Sequence, residues 1–206
     1  MTQPAQHATV GVPAWLPNAL TVLRLVLVPV FLVVLFAHPA DFSWRLAATV
    51  AFGVAILTDL FDGKLARRYD LVSDFGKIWD PIADKALTGA AFISLSILGE
   101  LPWWITIVIL AREWGITWMR AAMLKYEVMA AAAGGKLKTV LQSIALLMFL
   151  PYPMPATREL LPFWFWLGWL VMGAALVLTL VTGVMYVRDA LRLRAEAKAG
   201  GAGRRS

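Results

Sequence analysis

Apolar positions along this 206-residue chain fall in long runs, and polar positions come in short bursts between them. The stretch "LTVLRLVLVPVFLVVLFA", closing at Ala37, carries a single charge. Such a run has no polar face to turn toward water, which suits a helix in lipid. Crossing about 30 Å of hydrocarbon takes about 20 residues of helix. By that measure the pattern predicts six spans, at 17–37, 43–66, 74–99, 102–124, 137–152 and 161–187. Pro39 helps end the first. "GELP" and "PYPMP" are turn-rich breaks, because Pro and Gly interrupt a regular helix. The expectation is an all-α integral membrane protein with six transmembrane helices. It has an N-terminal cytoplasmic segment over 1–16, a transmembrane domain over 17–190 and a basic, disordered tail over 191–206. No internal repeat of the inverted-transporter kind is visible.

Composition narrows the chemistry. Apolar residues make up 60% of the chain, with ten Trp and ten Phe, and the mean hydropathy is +0.71. That leaves too little polar surface for a water-soluble globule. Cysteine is absent, which excludes disulfides, thiolate metal sites, iron–sulfur clusters and cysteine nucleophiles. The two histidines, His7 and His38, lie outside the apolar runs, so histidine chemistry is not expected. The net charge of +6 could suggest nucleic acid, but in a membrane chain it reflects the positive-inside bias and anionic lipid. No nucleic-acid partner is expected. Residues 1–15 lack the basic and apolar segments of a cleavable signal, so the first span is expected to stay as an anchor.

Charge also sets orientation. Lys64, Arg67, Arg68, Lys125, Lys136, Lys138 and the tail from Arg188 to Arg205 collect on one side. Arg45 and Arg158 fall on the other. Six spans then place both termini in the cytoplasm. Trp103, Trp104, Trp164 and Trp166 form an aromatic belt at the far boundary.

One window breaks the pattern. "TDLFDGKLARRYDLVSDFGKIWDPIAD", residues 58–84, holds six aspartates, and only Asp41 and Asp189 lie elsewhere. Asp70 and Asp74 read as a solvated face. Asp59 and Asp62 are three apart and Asp80 and Asp84 four apart, so each pair shares a helix face. The two helices are consecutive, and their faces can bring four carboxylates to one depth. An aspartate at mid-membrane is penalised by roughly 2.5–3.5 kcal/mol. Two carboxylates about 4 Å apart repel by about 4 kcal/mol at an effective dielectric near 20. Two divalent cations would balance four such charges. Oxygen ligands without Cys or His favour Mg²⁺, Mn²⁺ or Ca²⁺ over zinc, and paired metals suit displacement at phosphorus. Gly63 and Ala66 clear the helix face for a bulky ligand, and Arg67 offers a fork for phosphate. Gly76 is expected to open the loop near the start of span three, and Pro81 to set its local bend. Taken singly, Arg67 reads as a topology signal and Gly63 as a packing glycine; the spacing as a set carries the argument.

The full signature is Asp59-x₂-Asp62-Gly63-x₂-Ala66-Arg67-x₈-Gly76-x₃-Asp80-x₃-Asp84. It resembles the CDP-alcohol phosphatidyltransferase family of integral membrane enzymes, with every position filled. The six-span layout extends the likeness over roughly residues 15–190. The resemblance implies the CDP-alcohol phosphotransferase fold and transfer of a phosphatidyl group from a CDP-linked lipid to an alcohol, with CMP leaving. It implies that Asp59, Asp62, Asp80 and Asp84 hold two Mg²⁺ or Mn²⁺ ions and that Asp84 is also the general base. It implies that Gly63, Arg67 and Ser73 contact the nucleotide diphosphate, with Ala66 and Gly76 lining that site. "LPNALTVLR" resembles the family's nucleotide-side segment and makes Asn18 a further candidate, although Asn18 could equally cap the helix. A homodimer in a bacterial inner membrane, with its active site at the cytoplasmic face, is likewise implied.

The acceptor is read elsewhere. "LAREWGITWMR" places Arg112 near mid-span, where arginine needs a reason, followed by Arg120. "GGKLKT" supplies Lys136, Lys138 and Thr139. If these face one cavity, they form a cationic pocket for an acceptor that carries its own phosphate. Alternatively the lysines mark topology, and Arg112 makes an internal pair with Glu113 or another acid. "DPIADK", "ARE" with a second arginine eight residues after the first, and "GKLKT" resemble family members whose donor is CDP-diacylglycerol and whose acceptor is sn-glycerol 3-phosphate. Same-family enzymes that make cardiolipin or phosphatidylinositol phosphate remain open. So does a different class, a divalent-cation transporter, which explains the carboxylates but not the glycine, alanine and arginine at fixed offsets.

Overall fold

The structure, a computed structural model, describes residues 13, 15–69, 74–123, 134–151 and 153–202. Side chains at 17, 60–69, 74–78, 81, 120–123, 134, 154–155 and 194–202 lie outside that description. The described residues form seven helices: α1 Leu16–Ala37, α2 Phe42–Tyr69, α3 Asp74–Ile97, α4 Trp103–Met123, α5 Gly134–Phe149, α6 Met154–Leu160 and α7 Pro162–Ala202. Six of them fall on the six runs read from the sequence. Among the described residues, three stretches are long and apolar enough to cross a membrane: Asn18–Ala37, Phe42–Asp59 and Pro162–Leu193.

Local chemistry sets the helix ends. Pro17 lies in the first turn of α1, where a missing N–H removes no helix bond. Trp15 occupies the cap position without a side-chain bond, so Asn18 is inside the helix and does not cap it. Asp41 caps α2, its Oδ1 accepting from the N–H groups of Ser43 and Trp44 at 2.8 and 3.2 Å, as a carboxylate at a helix start should. Just past the end of α3, Gly99 with its φ of 73° lets Glu100 N–H turn back to the Leu95 carbonyl at 2.9 Å.

Three sequence expectations change. "PYPMP" is followed by a further short helix, α6, rather than directly by the last span. Gly76 lies near the start of α3 as expected, but the backbone there is helical rather than looped. The tail expected to be disordered from 191 is helical through Ala202. Its "DALRLRAEAKA" segment is rich in strong helix formers. At 41 residues, α7 is about 60 Å long, twice the hydrocarbon thickness.

α1 packs on α2 and α3, α4 on α3 and α7, and α5 on α7, with α2 and α3 also touching α5. Between them lies a core of Phe31, Leu35, Phe52, Phe92, Leu95 and Phe149, all buried. The outer faces are apolar too: Val26 and Val33 of α1, Val50 and Leu57 of α2, and Leu170 and Val184 of α7 are exposed. An apolar exterior around a packed interior is what a hydrocarbon solvent selects.

Arg45 is not the loop charge that the topology reading assumed. It is fully buried, and its guanidinium forks onto Glu100 at 2.5 and 2.7 Å. Its remaining donors reach the carbonyls of Leu150 at 2.7 Å, Pro39 at 3.2 Å and Phe149 at 3.2 Å. All five guanidinium N–H groups are thereby used. The clasp ties the start of α2 to the α3–α4 turn and the end of α5. Burial raises the Glu100 carboxyl above the ordinary carboxylate range, and the bonds from Arg45 pull against that rise.

Candidate active site

The backbone of α2 is helical through both Asp59 and Asp62, and that of α3 through both Asp80 and Asp84. The paired-face spacing read from the sequence therefore holds. α1 supplies what draws the acids together. Thr21 and Arg24 are three residues apart on α1 and so share a face; both are buried. Thr21 Oγ1 donates to Asp80 Oδ1 at 2.6 Å. Arg24 Nη1 lies 2.8 Å from Asp59 Oδ1. One carboxylate from α2 and one from α3 thus meet the same face of α1.

Asp84 sits one turn beyond Asp80. The charges acting on it are those of Asp59 and Arg24, then Lys85 and Lys138. Asp59 and Asp84 are therefore within electrostatic reach of each other across the α2–α3 contact. Asp59 keeps 39% of its side chain exposed, so the cluster opens outward on that side.

The donor set suits a hard divalent cation in chemistry, with carboxylates from two helices brought to one face of α1. Among the described residues, no three acidic or histidine side chains stand close enough to hold a metal ion. The fourth acid, Asp62, has its side chain outside the description. So do Ala66 and Arg67, while Gly63 and Gly76 are placed by backbone alone; Ser73 lies wholly outside the described residues.

A second polar cluster lies between α4, α5 and α7. Glu113 Oε1 accepts from Arg112 Nη1 at 3.1 Å and is also paired with Lys138 Nζ. Arg112 Nη2 donates to Thr182 Oγ1 at 2.7 Å, and its guanidinium stands 5.7 Å from the centre of the Tyr186 ring. Below it, Gln142 Nε2 donates to Thr179 Oγ1 at 2.9 Å. Arg112 can lie so close to α7 because residue 183 is glycine: a Cβ there would meet Arg112 Cγ at 3.2 Å. This is the internal pair with Glu113 that the sequence left open for Arg112. Lys85 of α3 stands 5.7 Å from the centre of the Trp114 ring and, with Lys138, links this cluster electrostatically to Asp84.

The expected acceptor pocket is only partly assembled. Arg112 and Lys138 come together. Lys136 is exposed, because two residues along a helix is a turn of about 200°. Thr139 spends its hydroxyl on the Gly135 carbonyl at 3.2 Å. The Arg120 side chain lies outside the description. Asn18 is half-buried on α1, one turn before Thr21. Thr21, Arg24, Gln142, Thr179 and Thr182 were not singled out from sequence. Arg24 carried a signal, as a lone cation inside an apolar run; the threonines did not.

These features, acids from two helices gathered on a third beside a buried cationic cluster, accompany a family match. The CDP-alcohol phosphatidyltransferase family matches residues 14–184, and the chain belongs to that family. A Mycobacterium tuberculosis protein named "Probable phosphatidylglycerophosphate synthase" is 48% identical over 179 residues, covering 86% of this chain and 82% of that protein. The Bacillus subtilis (strain 168) "CDP-diacylglycerol--glycerol-3-phosphate 3-phosphatidyltransferase" is 37% identical over 185 residues, covering 83% and 92%. A protein of the same name from Rickettsia typhi is 36% identical over 178 residues, covering 84% and 95%.

Proposed function

We propose that this chain transfers the phosphatidyl group from CDP-diacylglycerol to sn-glycerol 3-phosphate, giving phosphatidylglycerophosphate and CMP. The observation that carries this reading is the convergence of Asp59 and Asp80 on Arg24 and Thr21 of α1. The acceptor is supported by the names of the relatives.

Asp59, Asp62, Asp80 and Asp84 would hold Mg²⁺ or Mn²⁺, two ions in all. When bound, the ions neutralise the donor diphosphate and the charge that develops on departing CMP. Thr21 fixes the Asp80 carboxylate, and Arg24 fixes that of Asp59. Gly63, Ala66, Arg67, Ser73 and Gly76, with Asn18, receive the CDP portion of the lipid. Lys138 and Arg112 draw the acceptor phosphate toward Asp84, as paired cations do for a dianion. Asp84 takes the proton of an acceptor hydroxyl. That oxygen bonds to the phosphatidyl phosphorus, and the bond from this phosphorus to the oxygen of CMP breaks.

We place the six long helices across a bacterial inner membrane, with the aspartates at the cytoplasmic face, and expect a homodimer. The charge distribution supports the orientation, and the family resemblance supports the dimer. The test is CMP release by purified protein in detergent with CDP-diacylglycerol and Mg²⁺ or Mn²⁺, across glycerol 3-phosphate, inositol phosphate, phosphatidylglycerol and serine. Glycerol 3-phosphate should give the fastest release. Faster release with another acceptor would overturn the acceptor assignment. No release with any acceptor, alongside divalent-cation flux in vesicles, would overturn the reaction.

A further inference from the structure

A groove of about 520 Å³ runs between α4 and α7, with no aspartate in its lining. Gly115 and Met119 of α4 and Leu180 and Val184 of α7 line it, with Arg112 at one end and Arg188 at the other. Its α7 wall faces outward, since Leu180, Val184 and Val187 are all exposed. The arginine at the inner end adds little polar surface to the groove, although its Nε has no hydrogen-bond partner among the described residues. The Arg112 Nη atoms are bonded to Glu113 and Thr182, and its Cγ and Cδ lie against Gly183. What it offers is its methylene stem. Arg188 differs: it is exposed and stands where α7 leaves its apolar run.

We propose that this groove binds one acyl chain of a monoanionic bilayer phospholipid, with the lipid phosphate on Arg188. Charge complementarity selects the occupant. A slot that is apolar along its length, ends in an exposed guanidinium and opens on the lipid-facing side of a helix matches a chain joined to a phosphodiester. A free phosphate has no use for the apolar wall, and a zwitterionic lipid gains less from the arginine. The site goes beyond the transfer reaction and does not depend on it.

Two glycines make the test clean. A Cβ at Gly115, inside the groove, meets no heavy atom within 4 Å, and the same holds at Gly173, on α7 outside it. Leucine at either position fills open space, and both changes favour helix. The experiment is native mass spectrometry of the delipidated full chain in detergent, titrated with phosphatidylglycerol and with phosphatidylcholine of the same chains. One phosphatidylglycerol per chain should bind, about fivefold more tightly than phosphatidylcholine, as one interfacial arginine allows. Gly115→Leu should weaken it by about tenfold or more, the value of two buried methylenes. Arg188→Gln should remove the preference for phosphatidylglycerol while phosphatidylcholine binding stays. Gly173→Leu should bind like the unaltered chain. Unchanged binding by Gly115→Leu overturns the proposal. So does displacement of the bound lipid by one equivalent of CDP-diacylglycerol, which would make the groove part of the donor site. Loss of a dimer mass together with the lipid in Gly115→Leu also overturns it, by making a second copy the occupant.

Discussion

Replacing Thr21 with valine keeps the shape of the side chain and removes one hydroxyl. Thr21 is 1% exposed, so water cannot take the place of that hydroxyl at Asp80. The bond lost is short, 2.6 Å, and its acceptor is a carboxylate. Hydrogen bonds to charged groups contribute about 1.5–3 kcal/mol, equivalent to about 10- to 150-fold in an equilibrium constant at 1.36 kcal/mol per tenfold. Removing a partner that orients a metal ligand costs about 10- to 100-fold in metal affinity. The two routes agree. Thr21→Val should therefore weaken Mn²⁺ binding by about 10- to 100-fold, and Thr21→Ser should restore most of it.

The assay is Mn²⁺ titration of the substrate-free protein followed by electron paramagnetic resonance, which reads affinity without turnover. Thermal unfolding in detergent, run beside it, shows whether the variant is folded. If folded Thr21→Val binds Mn²⁺ within about twofold of the unaltered protein, the hydroxyl does not hold a metal ligand. If the unaltered protein binds no Mn²⁺ at all, the proposed metal set fails before Thr21 is reached.

Other substitutions probe the rest of the structure. Glu100→Gln leaves the buried Arg45 cation without its counter-charge and should destabilise the fold by about 3–5 kcal/mol, seen as a lower unfolding temperature, while activity per folded molecule stays; replacing both with methionine should recover much of the loss. Lys138→Met should raise the glycerol 3-phosphate KM by about tenfold or more, since charge-assisted bonds are roughly twice as strong as neutral ones; Lys136→Met, on the opposite side of α5, should leave it unchanged in the same assay. Arg112→Ala should weaken acceptor use more than donor binding, and equal loss of both would mark the arginine as structural. Chelation with EDTA should abolish CMP release, and Mg²⁺ or Mn²⁺ should restore it.

The parts legible in the sequence were those that violate the solvent. Four aspartates at helix spacing inside apolar runs have no cheap explanation, so the helices bearing them and their shared faces could be read directly. Partners that look ordinary in lipid could not. Thr21 is one threonine among many, and its role exists only because α1 packs on α3. Lys136 and Lys138 read as one cationic patch, and only the rotation of α5 separates them. Arg45 read as a loop charge because apolar runs locate a helix end only to within a few residues.

Arg45 and Arg24 look alike in sequence, each a lone cation among apolar residues, yet they do different things. Arg45 spends all five N–H groups on oxygen, and its partner Glu100 is buried with it. The charges close, and nothing more can bind. Around Arg24 the site stays open on one side. Asp59, Asp80 and Asp84 share its neighbourhood, and Asp62 lies on the same helix as Asp59. Among the described residues, Lys138 pairs with Glu113 and Lys85 stands over the Trp114 ring. Asp59 and Asp80 meet Arg24 and Thr21 of α1, and Asp59 remains partly open to the outside. A buried group of charges that closes is structure; the proposed metal site asks for the opposite, acids at an opening that a cation from solution can reach before a diphosphate binds there.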